Sequence, residues 1–192
     1  MKTRAYPYKE IAPNTYEIGE FDCASVFLLI GDEKAMLIDT GIGIGDLQGF
    51  VGTLTDKPLL LVFTHDHADH IGGASAFEHG YIHPKEMADF AKGGGLGVSV
   101  EGRTRYVQWI AEREKGVYPY NLAEDVTEWG PGPALSPLED GQVFDLGNRK
   151  VTAYVCPGHT PGSTTLLDEN TRTLFLGDAC NCNLLFRSVR ES

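Results

Sequence analysis

Three histidines and two aspartates fall within six residues in the segment Thr64-His65-Asp66-His67-Ala68-Asp69-His70-Ile71-Gly72-Gly73. Imidazole nitrogen and carboxylate oxygen are ligands that Zn²⁺ accepts, at about 2.0–2.2 Å. His65 and His67 flank a single residue and can aim at one ion. Asp69 and His70 come after the chain has turned and can aim at a second. A lone His-x-His is weak evidence. The full His-x-His-x-Asp-His, between an apolar run and Gly-Gly, is strong, and a polar loop with chance histidines fits that placement poorly.

Further ligands must come from far along the chain. Two places offer them: Cys156-Pro157-Gly158-His159-Thr160-Pro161-Gly162 and Leu176-Gly177-Asp178. His159 would complete the ion held by His65 and His67, and Asp178 can bridge both ions. His79 and His83 lie outside the pattern and read as structural. Cys180 and Cys182 stand close to Asp178; a thiolate is a good zinc ligand, but small buried hydrophobes are the plainer reading. Cys156 reads as packing.

The elements that hold these residues are legible as strands and turns. Thr15–Ile18, Ser25–Ile30 and Ala35–Ile38 read as strands, the last two as a buried hairpin about Gly31-Asp32. Asp39-Thr40-Gly41 ends the second of these and leads into a Gly-rich loop. Asp46–Leu54 has helical spacing of Leu47, Phe50, Val51 and Leu54. The run Leu59–Phe63 is apolar on both faces, as in a sheet covered by helices. Ala74–Phe77 reads as helix and Tyr81–His83 as strand. Pro84 opens a further helix through Phe90, with Pro in its first turn. Residues 92–137 are Gly-, Pro- and aromatic-rich around a helix over Thr104–Glu114. They read as a lid or insertion whose Tyr106, Trp109, Tyr118, Tyr120 and Trp129 select substrate. Strands resume at Gln142–Leu146, Lys150–Cys156, Ser163–Leu167 and Thr173–Leu176. His65, His159 and Asp178 thus all follow strands, and α/β proteins place ligand sites at the carboxyl ends of strands.

The ordered set of Asp39, the His65–His70 motif, His159 in Pro-Gly-His-Thr and Asp178 in Leu-Gly-Asp resembles the metallo-β-lactamase-fold hydrolase superfamily. The resemblance spans nearly the whole chain. It implies an α/β fold, an αβ/βα four-layer sandwich, as a single domain over 1–192. It implies one or two metals: His65, His67 and His159 on the first, Asp69 and His70 on the second, and Asp178 between them. Asp39 would stand behind the ligands and orient an imidazole. The resemblance also implies a further His well beyond Asp178, yet none of the 14 following residues is His. The expectation is therefore a fold whose C-terminal half is incomplete, with a homo-oligomer as one way to complete it.

The activity implied is that of a metal-dependent hydrolase, with zinc favoured by the His-rich set and iron or manganese as alternatives. A metal-bound hydroxide, formed from a water with a pKa near ~7, would attack a small ester, thioester, lactone or lactam. Asp69 and Asp178 would act catalytically while they ligate. The alternatives are a phosphodiesterase or nuclease of the same fold, or a truncated, non-catalytic metal-binding chain. With 16 Lys+Arg against 27 Asp+Glu and a net charge of −11, nucleic acid and anionic membranes are not expected partners. A small molecule is. The four cysteines are too few and scattered for a disulfide framework, and no signal peptide is read at the N-terminus, so the expected compartment is the cytoplasm.

Overall fold

In the computed structural model, residues 2–93, 99–114, 118, 120–126, 128 and 130–180 are described. Trp129, Cys182 and part of the Gly93–Gly95 run lie outside them.

The chain opens with four antiparallel strands: β1 (Tyr8–Ala12), β2 (Thr15–Gly19), β3 (Ser25–Ile30) and β4 (Ala35–Ile38). Helix α1 (Leu47–Leu54) follows, its N-terminus capped by Asp46, whose Oδ1 accepts from the Gly49 N–H at 2.8 Å. It buries Leu47, Phe50 and Val51, the apolar face its spacing requires. The chain then crosses over to β5 (Leu59–Val62), parallel to β4. Next come α2 (Ala68–Ile71), β6 (His79–Ile82), α3 (Met87–Phe90), α4 (Val100–Glu114), α5 (Leu122–Asp125) and β7 (Ala134–Pro137). Strands β1 to β7 form one sheet in sequence order, parallel from β4 onward. A second, antiparallel sheet comprises β8 (Val143–Asp145), β9 (Lys150–Val155), β10 (Thr164–Asp168) and β11 (Thr173–Phe175).

Alternation along the strands of the first sheet separates two cores. Leu28, Leu37 and Leu61 pack with Phe50 and Val51 of α1 and Val107 and Ile110 of α4. Their neighbours Leu29, Met36, Ile38 and Val62 face Phe144, Val151, Ala153, Leu166 and Phe175 of the second sheet. A strand apolar on both faces is thus buried on both, by helices on one side and a sheet on the other. Each such side chain contributes about 1.5–3 kcal/mol on burial. The outer face of the second sheet carries the exposed Val143, Tyr154 and Leu174. Among the described residues after Pro137 there is no α-helix, so the sandwich shows helix, sheet and sheet layers there.

Several sequence expectations need correction. Ala134–Pro137, read as the end of a lid, is strand β7, paired with β6 from His79↔Ala134 to Ile82↔Pro137. The pairing is parallel, and its sequence lacks the continuous apolar run that marked β5. Arg103, Val107 and Ile110 of α4 are buried, so that helix is core as well as cover. The Pro84 helix begins at Met87, after a turn in which Glu86 donates its N–H to the His83 carbonyl. Ala74–Phe77 is a 3₁₀ turn over Ala74–Ala76. Cys156 and Cys180 are exposed rather than packed; only Cys23 of the described cysteines is buried.

Candidate metal centre

Parallel pairing of β4 and β5 puts Asp39 and the His65 loop at one edge of the first sheet. Strands β9 and β11 both run antiparallel to β10, so His159 and Asp178 leave the second sheet at a common edge. A backbone bond from the Thr164 N–H to the Thr64 carbonyl, 2.9 Å, joins the two edges. Gly177 lies at φ +51°, where a Cβ would stand 2.7 Å from Thr64 Oγ1, so only glycine lets the Asp178 turn come this close.

Two groups of side chains converge there. The ligand atoms of His65, His67 and His159 lie within 4.8 Å of one another, as do those of His65, His70 and Asp178. His67 Nδ1 and His159 Nε2 are 2.9 Å apart. The Asp178 carboxylate stands between the groups, 3.5 Å from His70 Nε2 and 3.4 Å from His159 Nε2. Asp69 falls in neither group; its Oδ2 is 3.9 Å from His70 Nε2. Five of the six residues expected to bind metal are therefore gathered, with the sixth at the rim. Cys180 is in neither group.

Asp39 determines which ring nitrogens carry protons. Its φ of 63° is left-handed, a conformation Asp tolerates better than most residues. Asp39 Oδ1 accepts the Thr64 N–H, and Oδ2 accepts both the Thr64 hydroxyl and His70 Nδ1, each at 2.8 Å. Having given its proton to Asp39, the Thr64 hydroxyl can only accept from His65 Nδ1, 3.1 Å away. One carboxylate thus orients both imidazoles through their Nδ1 protons, leaving His65 Nε2 as a free lone pair and turning His70 Nε2 toward Asp178. Burial, then the neighbouring His70, His67 and His159, hold the His65 pKa well below the usual imidazole value, which keeps that lone pair available. Burial alone would lower His70 too, but the Asp39 carboxylate and bonds to Asp178 and Asp39 override it and hold its pKa well above the usual value. Thr64, read from the sequence only as a strand terminator, is the relay that sequence reasoning missed.

His79 is exposed and His83 accepts the Lys85 N–H through Nδ1 at 3.3 Å, both away from the two ligand groups. The aromatic residues expected over the site divide. Tyr118 and Tyr120 stack at 5.5 Å and pack on Phe21, and the Tyr118 hydroxyl donates to Asp22. Trp109 is exposed beneath the Arg113 guanidinium. A cavity of about 400 Å³ opens beside the cluster, reaching from His70 and Asp178 to Phe27, Ile38 and Leu174.

Residues 19–180 match the family described as the Metallo-beta-lactamase superfamily. The chain belongs to the metallo-beta-lactamase superfamily. It is 33% identical over 177 residues to the acyl-coenzyme A thioesterase MBLAC2 of Bos taurus and to that of Homo sapiens, covering 85% of this chain and 60% of each relative. Among solved structures it is similar to the Rm3 metallo-beta-lactamase, with a TM-score of 0.59 and 22% identity over 84% of this chain and 55% of that one. The chain spans about 60% of the length of the curated relatives it matches. The metallo-beta-lactamase superfamily implies a divalent metal, and the donors fit one. His65 Nε2 is buried without a hydrogen-bond partner, an arrangement that costs free energy unless something electron-accepting faces it.

Proposed function

We propose that the chain carries the metal site of a hydrolase that cleaves thioesters of the acyl-coenzyme A type, with zinc as the metal. The observation that carries the reading is the pair of ligand groups, one of three imidazoles and one of two imidazoles and a carboxylate, that share His65, whose Nε2 is buried without a partner. Similarity to relatives named acyl-coenzyme A thioesterases favours thioesters over lactams and lactones. The apolar wall of the cavity beside His70 and Asp178 suits an acyl group.

His65, His67 and His159 would hold one metal, and His70 and Asp178 a second, with Asp69 at its edge. When bound, the metal supplies an acidified water at neutral pH and positive charge against the oxygen that gains charge. The chain's own residues set up that chemistry. Asp39 and Thr64 hold the His65 and His70 rings with their Nε2 atoms directed into the site. Asp178 presents carboxylate oxygens between the two imidazole groups, placed to accept a proton. Asp69, on the exposed side of His70, is placed to orient an incoming water.

The test loads the chain with Zn²⁺ and follows thiol release from acyl-coenzyme A, beside a lactone, a lactam and an aryl phosphodiester. Thioester cleavage that falls at least about 100-fold in His67→Ala and His159→Ala is expected, in keeping with the several kcal/mol of transition-state stabilisation a metal supplies. A zinc-loaded chain that cleaves the phosphodiester and spares the thioester would overturn the reading.

A further inference from the structure

Glu86 lies in the turn between β6 and α3, on neither of the segments that carry the metal-site residues, and its side chain is buried. Oε1 accepts the Gly162 N–H at 2.5 Å and Oε2 accepts the Asp66 N–H at 3.3 Å. Gly162 follows His159 by three residues, and Asp66 sits between His65 and His67. One carboxylate therefore grips the backbone of both loops whose imidazoles meet at 2.9 Å. We propose that Glu86 is a positioning residue that sets the spacing of His67 and His159 for metal binding.

Two features support this. Among the described residues no lysine or arginine pairs with Glu86, and the Asp66 carboxyl faces it, so no cation offsets its burial. Burying a carboxylate in that way costs free energy, and stability alone does not call for it. Gly162 is also shaped for the contact: a Cβ there would stand 2.7 Å from Glu86 Oε1 and 2.6 Å from His83 Nδ1. The backbone–backbone bond described between the segments, Thr164 to Thr64, lies outside both ligand turns.

The proposal rests on the metal-binding reading, and its test separates the two. Zn²⁺ affinity of the chain is measured by competition with a chromophoric chelator for wild type, Glu86→Ala, Glu86→Gln, Gly162→Ala and Val151→Ala. Val151 lies in the core between the sheets and controls for general destabilisation. Affinity is expected to fall about 10–100-fold in Glu86→Ala and Gly162→Ala, the range for residues that orient metal ligands. Glu86→Gln, which can still accept from Gly162 but turns its amide against the Asp66 N–H, should lie between. Val151→Ala should lower Tm and leave affinity unchanged. If Glu86→Ala does not fold, the isosteric Glu86→Gln decides. Affinities equal to wild type, or an equal loss in Val151→Ala, would overturn the proposal. In parallel, the nuclear Overhauser contact between the His67 and His159 rings is followed in the metal-free chain; it should weaken in Glu86→Gln, vanish in Glu86→Ala and persist in Val151→Ala. A wild-type chain that binds no metal would defeat the hydrolase reading, and this ring contact would then decide Glu86 alone.

Discussion

Asp39 Oδ2 receives two donors, the Thr64 hydroxyl and His70 Nδ1, while Oδ1 receives the Thr64 N–H. Asn keeps the left-handed backbone and one acceptor. Its amide NH₂ would face the two donors that Oδ2 now satisfies, and the relay that holds the His65 and His70 rings by Nδ1 would break. Asp39→Asn should therefore weaken Zn²⁺ binding about 10–100-fold while costing only about 1–3 kcal/mol of stability. Chelator competition and denaturant titration on the same samples check this; unchanged affinity would sink the argument. The candidate ligands were legible because metal chemistry admits few side-chain types, and four of the six crowd into His65–His70. Thr64 and Glu86 were not legible. One hydroxyl and one carboxylate carry no signature in a single sequence, and their roles exist only once β5, β6 and the His159 loop come together. Asp69 shows the opposite case: its place in the motif is plain, yet the structure sets it at the rim.

Helix α4 is tied to the site through a buried arginine. Arg103 Nη1 donates to the Ile42 carbonyl at 2.8 Å and reaches the Gly72 carbonyl at 3.5 Å. Ile42 belongs to the loop after Asp39, and Gly72 follows the helix that carries His70. Glu20 accepts the N–H groups of Ile42, Gly43 and Ile44 from the other side. Burial pushes its carboxyl up to about 7, against those donors and Arg103. The spacing Arg103, Val107, Ile110 places the arginine on the apolar face of a helix. That was the available signal, hidden because the helical pattern was read as starting at Thr104. Likewise β7 escaped notice because a four-residue parallel edge strand among Gly and Pro lacks both alternation and an apolar run. The strands from β2 to β5 had one or the other. Arg103→Met should leave two buried carbonyls short of a donor and cost about 1.5–3 kcal/mol. Loosened α4 should then be cut sooner by chymotrypsin at Tyr106 and Trp109. Unchanged cleavage would mean that apolar packing of Val107 and Ile110 suffices.

The two sheets are held together by more than their shared apolar core. Arg149, in the turn before β9, donates through Nη1 to the Asn14 and Ile30 carbonyls at 2.9 and 3.0 Å, both in the first sheet's turns and ends. Its Nη2 donates to Asp168 Oδ2 at 2.7 Å, at the end of β10. Beside it, the Glu33 and Lys34 N–H groups both reach the Leu146 carbonyl. The sequence offered turns at Gly31-Asp32 and Gly147-Asn148 but nothing to say that they meet, since sheet-to-sheet contacts leave no periodicity. Asp168 is fully buried, and Arg149 is nearly so. Breaking such a pair strands a charge and costs about 3–5 kcal/mol, so Asp168→Asn should lose about that much at pH 7. The pH dependence follows from the sign of the shift. Burial works against the Asp168 carboxylate, but the bonds from Arg149 and Thr171 prevail and hold its pKa below the ordinary 3.8. Its contribution is thus complete above that value and is lost as pH falls through the lower, folded pKa. The stability gap between wild type and Asp168→Asn, followed by denaturant titration from pH 7 downward, should stay constant to about pH 4 and then close. A gap that stays constant to pH 2 would mean that the clamp works through shape, with the charge of Asp168 contributing nothing.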